Sequence, residues 1–169
     1  MNAGKIGDSG PTTNPTTVEP RSEREIVVTR TFEAPARTVF QAWTTPALFR
    51  RWWVPRSMPL ALLSYEADIR TGGGYRLVFD VDGTRTMAFF GTYIEVTPHS
   101  RIVWTNDESG EDGAVTTVTL EEEGDRTRLV LHELYRSRAA RDAALASGAY
   151  DGMGETFGQL DEVLVSLHA

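Results

Sequence analysis

Chemistry near neutral pH needs side chains that titrate, attack or ligate, and this chain arranges few of them usefully. It has three histidines, His99, His132 and His168, with no i,i+4 pair among them, so no zinc-ligand spacing arises. Cysteine is absent, which removes thiolate nucleophiles, thiolate metal sites and disulfides. No G-x-S-x-G elbow supports a hydrolase triad. The run Gly72-Gly73-Gly74 joins two strand-like segments and therefore reads as a tight turn, not a phosphate cradle. His132 lies beside Glu133 in an apolar run, and strand alternation sends one of the two inward. An inward His132 near Tyr75 or Asp68 is the candidate acid–base set, while the favoured reading of His132 is a hydrogen-bonded or edge-exposed side chain. Asp68 and Arg70 are spaced to pair, and Arg70 or Arg76, if either reached a cavity, would anchor a carboxylate.

The second set of candidates is aromatic and apolar. Trp52, Trp53, Tyr75, Phe79, Phe89, Trp104, Met153 and Phe157 are the residues best typed to wall a small-molecule pocket. Parity puts Tyr75 and Phe79 on one strand face, whereas Gly91 unsettles the register of Phe89 and Phe90. Trp43 is read as core. Neighbours on a helix point about 100° apart, so Trp52 and Trp53 cannot both bury on one face. A filled core and a hollow one look alike at this level.

These residues must be carried by elements, and the elements are legible. Residues 1–22 are rich in Gly, Pro, Thr and Ser and poor in apolar side chains; they are expected to form a disordered tail before a domain at 23–169. The run REIVVTRTF has the β-branched density of a strand. Pro35 and then Thr45-Pro46 mark the starts of two short helices, through Val39, Phe40 and Trp43 and through Leu48, Phe49 and Trp52. Strand patterns follow over residues 60–69, 75–81, 87–96, 102–104, 115–120 and 127–134. Asp82-Gly83 is a hairpin signal of the kind that needs positive φ at both positions, and Gly91 is a candidate bulge. One or two helical turns are expected over 139–146. A closing helix begins near Asp151, with Met153, Phe157, Leu160, Leu164 and Leu167 in one stripe. Hairpin-linked strands with helices to one side define an α+β class.

At 169 residues, with 40% apolar and 24% charged content, the chain suits one soluble domain plus a tail. Its net charge of -7 argues against general affinity for nucleic acid or anionic membranes. The local basic group Arg50, Arg51 and Arg56 reads as solvated surface. No apolar run approaches the ~20 residues of a membrane span, and the first residues lack a secretory signal, so a cytoplasmic location is the expectation.

The order Pro35, Trp43, Thr45-Pro46 and Trp52-Trp53-Val54-Pro55 resembles the START-like superfamily, and within it the group named after the activator of Hsp90 ATPase. Asp68-Ile69-Arg70 before Gly72-Gly73, Gly91 to Val96 with Pro98, Arg101 to Thr105, and Thr127-Arg128-Leu129 belong to the same pattern, which spans about residues 23–167. The chain departs where members often carry Gly-Trp at the start of the last helix: here stand Gly152-Met153 and Gly154-Glu155. The resemblance implies a helix-grip fold, a curved antiparallel sheet holding the terminal helix across a cavity. It implies, first, a non-enzymatic domain binding a small hydrophobic or aromatic ligand, with the last helix and its preceding loop gating access. The alternatives are a polyketide cyclase or hydrolase working through His132, Tyr75 or Asp68, and a chaperone-related interaction module. No cofactor or metal is expected; a homodimer and a chaperone partner are kept as candidates.

Overall fold

The computed structural model describes residues 14–168. Eight strands form one antiparallel sheet in the order β1-β2-β8-β7-β6-β5-β4-β3. They are β1 (Thr17–Pro20), β2 (Glu25–Phe32), β3 (Ala61–Ala67), β4 (Gly74–Asp80), β5 (Thr86–Thr97), β6 (Arg101–Thr105), β7 (Val115–Glu123) and β8 (Arg126–Leu134). The helices are α1 (Ala36–Thr44), α2 (Pro46–Phe49), α3 (Arg138–Ala146) and α4 (Met153–His168). From β3 onward each strand pairs with the next in sequence, whereas α1 and α2 carry the chain from β2, near one edge, to β3 at the other. This is the helix-grip α+β arrangement: a curved open sheet with α4 laid on its concave face.

The local chemistry explains the boundaries. Pro35 stands just before α1, and its carbonyl accepts from the amides of Thr38 and Val39. Thr45 occupies the cap of α2 through its carbonyl, which accepts from Leu48 and Phe49; its side chain makes no capping bond. On α3, Ser137 does cap, its hydroxyl accepting from the Ala140 amide at 3.0 Å. Gly91 is needed for close approach: a Cβ there would lie 2.1 Å from the Thr105 carbonyl oxygen. The register of β5 against β6 slips between Tyr93 and Glu95, so Ile94 bulges outward.

Three expectations change. Residues 17–20 belong to an edge strand, β1, paired with β2 from Thr17↔Thr29 to Pro20↔Ile26. All four of its side chains are exposed, so the main chain alone holds it and composition carries no signal; residues 1–13 of the expected tail lie outside the described residues. At the β4–β5 hairpin only Gly83 has positive φ. The loop is longer than two residues and is organised by the Asp82 carboxylate, which accepts from the amides of Thr84 and Arg85, both at 3.0 Å. The second helix stops at Phe49, and residues 50–52 continue as turns.

The main core joins Val28, Phe32, Leu129 and Leu131 of the sheet to Val39 and Trp43 of α1 and to Phe157, Leu160, Val163 and Leu164 of α4. A smaller cluster of Ile26, Ala114 and Tyr135 receives α3 through Ala140, Ala144 and Leu145. Polar ties lock α4 in place. Arg30 on β2 is 3% exposed; its guanidinium forms an ion pair with Asp161 and also donates to Thr16 Oγ1 and the Gly154 carbonyl. Buried Gln159 donates to the carbonyls of Trp52 and Val54, at 3.0 and 2.9 Å, and accepts the Arg56 amide at 2.8 Å. Glu155 accepts from the Ser57 amide at 3.0 Å, and Arg56 pairs with Glu162 at 2.6 Å.

Candidate functional site

Between β3–β6 and the start of α4 the core opens into a cavity of about 390 Å³. Interiors are close-packed and tolerate few voids larger than a water molecule, so a space of this size stands apart from ordinary packing. Its walls are aromatic. Trp43 comes from α1, Phe49 from α2 and Trp53 from the following turn, while Tyr65, Tyr75, Phe79, Phe89, Tyr93 and Trp104 come from β3 to β6. Met153 and Thr156 close it from α4, and exposed Met58 and Ala149 mark the rim.

Of the residues singled out as pocket wall, Trp53, Tyr75, Phe79, Phe89, Trp104 and Met153 line this space. Trp52 and Phe157 do not: both are fully buried in the packed core. Trp52 points the other way from Trp53, its indole N–H donating to the Ala42 carbonyl at 3.0 Å. The rings of Trp43 and Trp52 meet edge-on at 4.8 Å, and Phe49 stacks on Trp53 at 4.9 Å. Neighbouring residues on a turn thus split between core and cavity.

The acid–base set does not assemble. His132 projects from the outer face of β8, where its Nε2 lies 2.6 Å from a Glu25 carboxylate oxygen. That contact holds the Glu25 carboxyl below its usual pKa. Asp68 is exposed and binds Arg70 in a two-residue ion pair at 2.8 Å, in a shallow surface depression with Glu66 and Arg76. Only Tyr75 reaches the cavity, with its hydroxyl donating to the Thr105 carbonyl at 2.7 Å. Burial pushes its phenol, and those of Tyr65 and Tyr93, well above the ordinary value, so all three stay protonated.

Glu133 takes the inward place. Its carboxyl accepts from Thr116 Oγ1 at 2.9 Å and from the hydroxyls of Tyr150 and Tyr135 at 3.3 and 3.4 Å. Desolvation raises its pKa in spite of these bonds. Thr116 in turn accepts from Asn106 Nδ2 at 2.9 Å, and Asn106 lines the cavity. A hydrogen-bonded chain therefore runs from Glu133 through Thr116 to Asn106 at the cavity wall. Glu108 of the 3-10 stretch Asp107–Asp112 lines the cavity as well. Alternation with Leu129 and Leu131 could have singled out Glu133; the other members come from separate elements and carry no joint signal.

A curved antiparallel sheet gripping a terminal helix across an aromatic-walled cavity defines a START-like domain. The chain belongs to the family described as activator of Hsp90 ATPase homolog 1-like protein, whose model matches residues 33–165. Solved structures agree on the fold. A protein from Rhodobacter sphaeroides is 25% identical, superposes with a TM-score of 0.81, and the match covers 90% of this chain and 99% of that one. A protein from Nitrosomonas europaea is 23% identical with a TM-score of 0.77, covering 88% and 99%. One from Arthrobacter aurescens is 21% identical with a TM-score of 0.75, covering 89% and 91%. Among curated proteins no sequence match is found. No helix among the described residues is long and apolar enough to cross a membrane.

Proposed function

We propose that this chain binds a small apolar, largely aromatic molecule in the cavity between the sheet and α4. The observation that carries the reading is the cavity itself: about 390 Å³, the size of a small-ligand site, walled by aromatic rings with a few polar groups. Access runs past Met58 and Ala149, the latter in the segment between α3 and α4, which can move without breaking the sheet. Met153 lines the cavity from the start of α4, so the site is shaped there by a flexible thioether.

The test is a thermal-shift screen with fatty acids, flavonoids, steroids and aromatic polyketides. A ligand at ~100 times its dissociation constant adds about 2.7 kcal/mol, a rise of roughly 5–10 °C for a domain of this size. Quenching of Trp53 and Trp104 fluorescence should accompany it. Silence in both readouts across all classes sinks the proposal. The cyclase or hydrolase reading needs two of His132, Tyr75 and Asp68 in the cavity, and Tyr75 alone is there. A chaperone partner rests on the family description alone; affinity capture without chaperone enrichment counts against it.

A further inference from the structure

The polar groups of the cavity are unevenly typed. Among the described lining residues one side chain, Glu108, is acidic, and none is Arg, Lys or His. Glu108 Oε1 accepts the Phe90 amide at 3.0 Å, while Oε2 has no hydrogen-bond partner among the described residues. Asn106 spends both Nδ2 hydrogens, on the Ala114 carbonyl at 2.8 Å and on Thr116 Oγ1 at 2.9 Å. Its Oδ1 is met only by a long 3.5 Å contact from Tyr75. Tyr75 has committed its own hydrogen to Thr105, which leaves lone pairs on its oxygen. Glu108 is near enough to Tyr75 to help keep that phenol neutral. The unpaired indole N–H of Trp43 is sealed from solvent and offers no donor to the space.

Glu108, Asn106 and Tyr75 thus present acceptors only, with a carboxylate among them; the other polar groups of the lining include the neutral hydroxyls of Tyr65, Tyr93 and Thr156, and the rest of the wall is mainly aromatic faces. Ring faces attract cations, and a carboxylate in a partly desolvated site strengthens that preference. We infer that the ligand of this cavity is an aromatic amine: its protonated nitrogen sits against Glu108, Asn106 and Tyr75, and its ring lies among Trp53, Phe89 and Trp104. The inference rests on the binding reading above. An aromatic carboxylate of the same size would meet Glu108 with no cation to offset it.

Three probes sharing one ring system separate these cases: tryptamine, tryptophol and indole-3-acetate, titrated calorimetrically at pH 7 and low salt. Tryptamine should bind about tenfold more tightly than tryptophol, with indole-3-acetate weakest. The spread should collapse to within about threefold in Glu108→Gln, which keeps the oxygen that accepts the Phe90 amide. Should that variant fold poorly, salt supplies the second readout: the preference for tryptamine in the unmodified protein should shrink severalfold at 0.5 M. Equal binding of all three, or a preference for the acid, overturns the amine assignment and leaves ligand binding standing. A preference that survives both Glu108→Gln and high salt also overturns it. If neither these probes nor neutral naphthalene binds, the amine assignment is overturned, and the thermal-shift screen decides whether the parent reading falls with it.

Discussion

Removing the carboxylate of Asp161 should loosen α4 from the sheet by an amount that can be worked out beforehand. The Arg30 guanidinium is almost wholly buried, its Nε has no partner, and its other acceptors, Thr16 Oγ1 and the Gly154 carbonyl, are neutral. Asp161→Ala leaves that cation uncompensated, which costs about 3–5 kcal/mol for a buried pair. The Asp161 side chain is 29% exposed, so water can replace part of the interaction and the lower end, about 3 kcal/mol, applies. At 2–4 °C per kcal/mol this is a fall in Tm of roughly 6–12 °C. Arg30→Met/Asp161→Leu removes both charges and should recover most of the loss. A loss below about 1 kcal/mol in Asp161→Ala, or a double variant as unstable as the single, would refute the buried-charge argument.

Other substitutions probe the sheet and the cavity wall. Gly91→Ala drives a methyl to 2.1 Å from the Thr105 oxygen, beyond ordinary overpacking, and should cost at least about 3 kcal/mol in a denaturant melt. A change under 1 kcal/mol would show that β6 yields easily. Gln159→Leu strands the carbonyls of Trp52 and Val54 and the Arg56 amide, so a loss of about 2–4 kcal/mol is expected, with faster amide exchange over residues 52–56. Glu133 has a raised pKa, so its contribution to stability fades as pH rises through the folded value. Glu133→Gln, neutral throughout, should gain on the unmodified protein as pH rises, and parallel curves would contradict this.

How far the sequence could be read depends on whether the determining contacts are local. Strand alternation and proline-started helices are periodic, so β2–β8 and α1–α4 were expected close to where they stand. The apolar stripe of α4 holds for Phe157, Leu160 and Leu164, with Val163 added. Strand β1 was missed because nothing in its side chains is buried; what holds it is the bare edge of β2. The His132–Glu133 pair shows a different limit. Alternation marks one of the two as inward, and the flanking Leu129 and Leu131 select Glu133. The chain through Thr116 and Asn106 is set by cross-strand register, such as Thr116↔Glu133, which no single segment encodes. Whether the core was hollow was equally out of reach, because it depends on how sheet curvature holds the β3–β6 rings away from α4.

Gln159 grips the segment before β3 entirely through main-chain atoms: two carbonyls and one amide. Such a grip is blind to the identity of the side chains it positions. Trp53, Val54 and Pro55, all of which line the cavity, are therefore moored by contacts that do not depend on their own side chains, so a substitution among them alters the cavity wall while its anchor stays in place.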